Sequence, residues 1–242
     1  MPLAYLEPDE PFPPLSQALG PDSPAPGLLC AGADLSVDRL VEAYSKGIFP
    51  WFNDDQPILW WSPDPRMVLR TEDFKLHPSM RKTLKQWTRD GQHEIRIDHD
   101  FASVIGYCSD MRRKGQRGTW IVPEMVQAYI ALHRAGRAHS VETWYEGELI
   151  GGLYCVNLGG MVFGESMFSL RPNASKFALC ALVAFCREHG LPLIDCQQNT
   201  AHLASLGAAE VPRDLFMQKV NVLTTHDTPH WQFSPALWEH LR

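Results

Sequence analysis

The stretch HSVETWYEGELIGGLYCVNLGGMVFGESMFS, from His139 to Ser169, decides the fold of this chain. Apolar and polar residues alternate along it, and the alternation is broken by the turn-forming sequences EG (146–147) and LGG (158–160). Alternation with a period of two is typical of half-buried strands, and glycine-containing breaks are typical of hairpins. The stretch therefore predicts a meander of antiparallel strands.

Helical patterns flank this meander on both sides. After it, a segment that is apolar nearly all round predicts a helix buried on the sheet from about Ala174 to His189, followed by a strand from Leu191 to Asp195. Before it, capping residues and apolar periodicity predict helices that begin after Ser36, at Pro78, at about Asp100 and at Pro123. We therefore expect an α+β fold, with a small N-terminal domain (1–62) that carries a proline-rich arm and a tryptophan loop, and a larger domain (63–242) with a mostly antiparallel sheet flanked by helices.

Composition excludes several classes of protein. The chain has 242 residues, 45% of them hydrophobic and 21% charged, which is an ordinary globular balance. Its longest apolar stretch, Phe177 to Cys186, is about half a bilayer span, so we expect a cytosolic protein without a membrane segment. The six cysteines show no C-x-x-C pair and the ten histidines no paired ligand spacing, so we expect neither disulfides nor a metal site.

Short sequence blocks identify a family. They are FPWF (49–52), WWSPDPR (60–66), GTWI (118–121), GESMFS (164–169), NASK (173–176), LIDCQ (193–197) and HLASLGA (202–208). In these blocks and in their order, the chain resembles the bacterial leucyl/phenylalanyl-tRNA–protein transferases. The resemblance implies a GNAT-like larger domain. It also implies transfer of leucine or phenylalanine from its tRNA to the N-terminal amine of proteins that begin with Arg or Lys, which marks them for N-end-rule degradation.

The sequence suggests that this chemistry needs no cofactor. An aminoacyl ester is already activated, and the chain carries no Walker-type phosphate loop for ATP. The [QR]-x-x-G-x-[GA] loop that holds coenzyme A in many GNAT acyltransferases is also missing, because Arg117 occupies its final small position. We therefore expect aminoacyl-tRNA as the donor and a monomeric enzyme.

Asp195 and Gln197 are the candidate catalytic residues. They lie two apart at the end of a predicted strand, so alternation would direct both side chains to one face and Cys196 to the other. The resemblance implies that the aspartate acts as a general base through the glutamine, although a positioning role for both fits the sequence equally well. A third interpretation is that Asp195 caps the following turn. We do not expect Cys196 to be a nucleophile, since no histidine is placed to be its base.

Glu165 is the candidate residue for binding the acceptor. It lies in an otherwise apolar strand, where a carboxylate needs a partner. That partner is either the cationic acceptor or a resident cation such as Arg171 or Lys176. Ser169 is expected to add a hydrogen bond nearby.

The donor side chain needs an apolar pocket of adjustable shape. The run FPWFNDDQPILWWSPDPR (49–66) predicts a rigid surface loop walled by aromatic rings, and methionine with aromatic residues would supply the rest of the pocket. Tyr129 has a spacing that fits a core position equally well. The full set of candidate pocket residues is Trp51, Trp120, Tyr129, Met167 and Phe168, with Trp51 and Trp120 expected to flank the terminal adenine of the tRNA.

A formal charge of −6 argues against a protein that coats nucleic acid, yet basic residues cluster locally. Arg81, Lys82 and Lys85 share the outer side of the helix that begins at Pro78, and the surrounding segment 74–89 lacks acidic residues. We expect this helix to contact tRNA phosphates, with a solvated helix face as the alternative. A second basic group in 112–117 would extend the same surface.

Two other functions remain open from the sequence. One is a CoA-dependent N-acyltransferase of the same fold. The other is a non-catalytic adaptor that recognises basic N-termini, which would keep Glu165 but tolerate loss of Asp195. The choice among leucine, phenylalanine and methionine is also open, because one methylene changes binding by about 1–3 kcal/mol.

Overall fold

The computed structural model describes residues 3–111 and 121–241 of the chain. The strands in those ranges are β1 (Ala4–Leu6), β2 (Leu28–Gly32), β3 (Phe49–Pro50), β4 (Leu59–Trp61), β5 (Arg66–Arg70), β6 (His93–Ile97), β7 (Ala138–Tyr145), β8 (Glu148–Leu158), β9 (Met161–Ser169), β10 (Leu193–Gln197) and β11 (Ala209–Val211). The helices are α1 (Val37–Ser45), α2 (Pro78–Asp90), α3 (Phe101–Asp110), α4 (Pro123–Arg134), α5 (Ala174–Glu188), α6 (Ala201–Ser205) and α7 (Arg213–Leu223).

The strands form two sheets. A four-stranded sheet has the order β1-β2-β4-β3, and a seven-stranded sheet has the order β11-β5-β10-β9-β8-β7-β6. The predicted meander is confirmed as β7-β8-β9, and every pair in the large sheet is antiparallel except β9 with β10. The α+β class, with a small N-terminal part and a mostly antiparallel sheet flanked by helices, is therefore confirmed. The exact boundary at residue 62 stays a prediction.

The N-terminal arm and the tryptophan loop are more regular than the sequence predicts. In the arm, β1 pairs in parallel with β2, and in the loop β4 is hydrogen-bonded between β2 and β3. Pro57 and Pro63 flank β4 rather than interrupt it, so the strand can form. Trp60 is fully buried and donates from Nε1 to the Gly32 carbonyl at 2.9 Å. Trp60 is therefore a core residue.

Helices cover both faces of the large sheet. The residues of α3 and α4 pack on one face together with the small sheet, and α5 packs on the other. Glycine permits this close approach, since a Cβ atom on Gly151 would lie 2.4 Å from the Cβ of Ala174 in α5. Although α5 is apolar, it has 15 residues, and no helix in the described ranges is long and apolar enough to cross a membrane.

Candidate active site

The candidate site lies where β9 and β10 separate. The two strands pair at Val162 with Ile194 and at Phe163 with Asp195. Beyond these pairs, Glu165 is the extra residue of a bulge in β9 opposite β8, and β10 has its own bulge before Gln197. Bulges redirect side chains, and they are frequent beside active sites. Here they bring the Gln197 amide nitrogen within 2.9 Å of Glu165 Oε1.

The bulge in β10 corrects the argument from alternation. Asp195 lies opposite Val68 and Gln197 lies opposite Met67, so Cys196 is the additional residue. Gln197 also has a left-handed backbone, with φ of 62°. Simple alternation between Asp195 and Gln197 therefore does not apply, and it is the bulge that determines where the Gln197 side chain lies.

Neutral hydrogen-bond donors surround the carboxylate of Glu165. Tyr44 donates to Oε1 at 2.7 Å, Tyr129 donates to Oε2 at 3.3 Å, and Gln197 donates to Oε1. The two tyrosine hydroxyls also hydrogen-bond each other. The resident partners are therefore two phenols and an amide. The cations proposed from the sequence lie elsewhere: Arg171 pairs with Glu148, and Lys176 lies near Asn173.

These surroundings leave the charge of Glu165 without a counterion in contact. Burial raises the pKa of Glu165 from its ordinary 4.5 to about 7. The hydrogen bond from Tyr44 opposes this rise, the nearby Asp195 charge adds to it, and Tyr129 and Arg66 oppose it. A carboxyl group with a pKa near 7 exchanges protons easily at neutral pH, which is the property that a general base or acid needs.

Asp195 is bound quite differently. Its side chain is fully buried, and Arg66 donates from Nε to Oδ1 at 2.8 Å and from Nη2 to Oδ2 at 2.6 Å. Oδ1 also accepts the backbone N–H of Gln197 at 2.9 Å. Both carboxylate oxygens are thus occupied by protein donors, and Asp195 fixes the backbone that carries the Gln197 side chain.

Arg66 is held on every side. Its Nη1 donates to the Gly47 carbonyl at 3.1 Å, and its guanidinium lies 4.8 Å from the ring centre of Phe49 and 4.7 Å from that of Phe216. Two aromatic faces and a bidentate carboxylate suit the planar guanidinium. Arg66 and Asp195 therefore form a sealed, rigid pair beneath the Glu165–Gln197 contact.

Cys196 lies between the two candidate catalytic residues but is not activated. Burial, and after it the charge of Asp195, raises the pKa of its thiol well above the ordinary value. A thiol in this state is almost entirely protonated at neutral pH and is a poor nucleophile. The geometry thus agrees with the expectation that Cys196 is not catalytic.

Some of the predicted pocket residues adjoin Glu165 and others do not. Tyr129 is fully buried on the same apolar cluster as Phe168, and the half-buried Trp51 packs at the edge of that cluster. Met167 packs on the opposite face of the sheet, and the Ser169 hydroxyl is used in the turn that leads to α5. Trp120 lies outside the described residues.

The basic helix forms as predicted, with its apolar side inward. Leu84 is buried in α2, whereas Lys82 and Lys85 are exposed. Arg81 is half-buried, and its Nη1 donates to the Leu241 carbonyl at 3.2 Å. Lys82 and Lys85 are therefore the residues of this group that are most accessible to a partner. The second basic group, 112–117, falls outside the described part of the chain.

Comparisons with known proteins identify the family. The family model for leucyl/phenylalanyl-tRNA protein transferase matches residues 68–221, and the model for its N-terminal domain matches residues 33–64. The chain belongs to this family. It is 59% identical over 240 residues to the leucyl/phenylalanyl-tRNA–protein transferase of Polaromonas sp., covering 99% of this chain and 94% of the relative. It is 56% identical to that of Burkholderia multivorans over 229 residues, covering 95% and 90%.

A more distant likeness comes from a solved structure, L-PGS from Bacillus licheniformis. It is 14% identical, covers 69% of this chain and 54% of its own, and has a TM-score of 0.40. The family membership makes the chain an aminoacyl-tRNA transferase enzyme. Roles for individual residues must come from the geometry.

Two residues of this transferase's site were missed by the sequence analysis. Arg66 ends the block WWSPDPR and begins the apolar strand β5, so a charged residue entering a buried strand is the signal that could have found it. Tyr44 was recognised as part of the apolar stripe of α1, and it is indeed buried. Periodicity shows which face of a helix is buried, but it does not show what a buried hydroxyl bonds to.

Proposed function

We propose that this transferase moves leucine or phenylalanine from aminoacyl-tRNA to the N-terminal amine of a protein that begins with Arg or Lys. The carrying observation is the contact of Glu165 with Gln197 where β9 and β10 separate. It joins a carboxyl group of pKa about 7 to an amide whose oxygen is not used in that contact.

Glu165 is the proton acceptor in this proposal. The N-terminal ammonium of the acceptor binds beside its carboxylate and transfers one proton to it, since the ordinary pKa of such an amine is about 8. Gln197 accepts a second N–H of the amine on its amide oxygen and aligns the nitrogen. The neutral amine then attacks the ester carbonyl, and the C–N bond forms. The C–O bond to the ribose breaks, and the ribose oxygen takes the second proton lost by the nitrogen.

Asp195 and Arg66 are positioning residues in the same proposal. Asp195 reaches Gln197 through the backbone N–H, whereas the Gln197 side chain contacts Glu165. A relay from the amide side chain to Asp195 therefore has no support in the contacts. Instead, the sealed pair holds the Gln197 backbone in its left-handed conformation, which an L-residue adopts at some cost.

The donor is proposed to enter over the apolar cluster that backs Glu165. Phe168 and the edge residue Trp51 would contact the leucine or phenylalanine side chain and the terminal adenine. Lys82 and Lys85 would contact backbone phosphates. The reaction needs no ATP, and we place it in the cytosol, with N-end-rule degradation of the product as its consequence.

Transfer can be tested directly with purified protein, radiolabelled leucyl-tRNA and a peptide that begins with Arg, without ATP. Label should enter the peptide. A peptide that begins with Ala and one with an acetylated N-terminus are matched controls, and both should stay unlabelled. Labelling of all three peptides would contradict the proposed acceptor, and labelling of none would contradict the reaction. Phenylalanyl-tRNA and methionyl-tRNA in parallel would define the donor range.

A further inference from the structure

A second concave site lies on the opposite face of the large sheet from Glu165, outside α5. It is a cavity of about 200 Å³ between the first turn of α2, the first two turns of α5 and α6. Its lining residues share a simple division into apolar, neutral polar and basic. They are Phe74, Leu76, Met80, Leu179, Cys180 and Leu206; Ser79, Thr83, Asn173 and Ser205; and Lys75, His77, Lys176 and His202.

The electrostatics of this cavity favour an anion. Four basic side chains surround it, and none of the described residues that line it is acidic. The positive ends of the dipoles of α2 and α5, helices of 13 and 15 residues, also face it. Burial and then the charge of Lys176 lower the pKa of His202, so these two groups are close. Nε2 of His77 donates to the Ser205 carbonyl at 3.0 Å, which ties α2 to α6.

The floor of the cavity narrows the class of anion. Phe74, Leu179, Cys180 and Leu206 are buried, so the basic residues form a rim around an apolar base. A phosphate ester fits this arrangement, since its phosphate can lie at the rim and its organic part can cover the apolar base. A bare inorganic anion would leave the apolar base uncovered.

The position of the cavity points to the source of the ester. Lys82, Lys85 and Arg89 line a shallower depression on the adjacent side of α2. Ser79 of the cavity and Lys82 of the depression are three residues apart, and such pairs are neighbours about 5–6 Å apart on a helix surface. A phosphodiester backbone that follows α2 would therefore meet both sites in succession.

We propose that this cavity binds a phosphate and its ribose in the backbone of the tRNA donor. The proposal rests on the function proposed above, because it assigns the cavity to the same substrate. It adds a contact on the α5 face of the sheet, so the tRNA extends around α2 from the face that holds Glu165.

Ser79→Asp is the sharpest variant. Ser79 is the second residue of α2, where a carboxylate stabilises the helix dipole, so folding should be preserved while the cavity gains a negative charge. The double variant Lys75→Gln with Lys176→Gln removes two cations from the rim. Lys219→Gln on α7 is a matched single-charge control, because Lys219 is exposed and does not line the cavity.

The experiment measures tRNA affinity against salt and transfer from leucyl-adenosine, a donor without the tRNA body. Ser79→Asp and the double variant should weaken tRNA binding and reduce the slope of log affinity against log salt by about one unit per lost phosphate contact. Transfer from leucyl-adenosine should be unchanged. Unchanged affinity and slope in both variants, with an active wild-type enzyme, would overturn this inference and leave the proposed reaction standing. Loss of transfer from both donors in the wild-type enzyme would instead reject the reaction.

A separate titration with adenosine monophosphate distinguishes the two sources of a phosphate ester. If tRNA is the ligand, the free nucleotide should compete weakly with tRNA, and Ser79→Asp should reduce that competition. Binding of the nucleotide that is lost in Ser79→Asp, together with unaltered tRNA affinity, would overturn the assignment to tRNA.

Discussion

Two carboxylates on adjacent strands of this transferase are held in opposite ways. Asp195 is fully buried against a guanidinium, with a charged donor on each oxygen. Glu165 receives neutral donors from Tyr44, Tyr129 and Gln197. The first arrangement cancels the negative charge, and the second solvates it without cancelling it.

This difference separates structure from proton transfer. A carboxylate with a bidentate arginine stays ionised and immobile, which suits the fixing of a backbone. A buried carboxylate with neutral donors has a raised pKa, and the pKa of Glu165 is about 7. The comparison teaches that the residue suspected as base in the sequence serves as the support, and that the residue suspected as a binding group is suited to be the base.

The largest effect is expected from breaking the sealed pair. Arg66→Met leaves Asp195 buried without its cation, and loss of one partner of a buried ion pair costs about 3–5 kcal/mol. Urea unfolding should show this loss of stability. The matched control combines Arg66→Met with Asp195→Leu, which removes both charges and should recover most of the loss. A single variant as stable as the native protein would mean that the pair does not support the fold.

Glu165→Gln should change how stability depends on pH. The folded pKa lies above the ordinary value of 4.5, so native stability should fall as pH rises from 4.5 through about 7. The amide does not ionise, so Glu165→Gln should gain up to about 3 kcal/mol relative to the native protein between these limits. Urea unfolding of both proteins from pH 4.5 to 8 measures the difference. Parallel curves over that range would show that the pKa of Glu165 is ordinary.

Removing the neutral donors one at a time should sharpen the comparison. The phenol of Tyr44 lies 2.7 Å from Glu165 and that of Tyr129 lies 3.3 Å away. Tyr44→Phe should raise the pKa of Glu165 further, by about one pH unit, because a hydrogen bond to a charged group is worth about 1.5–3 kcal/mol. Tyr129→Phe should raise it less. The pH dependence of unfolding reports both values, and a larger rise for Tyr129→Phe would reverse the assigned order of the two bonds.

The smallest effect is expected at the residue between the two carboxylates of the site's lower strand and its opening. Cys196→Ala should leave turnover of leucyl-tRNA nearly unchanged, since the native thiol is protonated at neutral pH. Circular dichroism confirms that the variant is folded. Abolished transfer in a folded variant would indicate a covalent thioester route.

Local patterns in the sequence predict most of the fold. The alternation from 139 to 169 gives β7, β8 and β9, and the uniformly apolar segment gives α5 at nearly its observed bounds. β1 and β4 were not predicted, because these strands of three residues depend on partners that are distant in sequence. Strands this short have too few residues for alternation to be visible.

The site was predicted in part, for a related reason. Glu165 and Gln197 were correctly singled out as polar residues in apolar strands, yet their contact depends on two bulges. A bulge adds one residue to a strand and shifts the following side chains, and the sequence shows no mark of it at these positions. The partner of Asp195 was missed because Arg66 is 129 positions away in the chain.

The central claim is that Glu165, and not Asp195, takes the proton from the acceptor amine. The most direct measurement is the pH dependence of the transfer rate at saturating leucyl-adenosine and an Arg-starting peptide. The native enzyme should lose activity below a pH of about 7, where Glu165 becomes protonated. Glu165→Gln should be slower and should lose activity below about pH 8, the ordinary pKa of the peptide amine. Asp195→Asn should be slower with the native limb retained. A limb near 7 that persists in Glu165→Gln and disappears in Asp195→Asn would contradict the account.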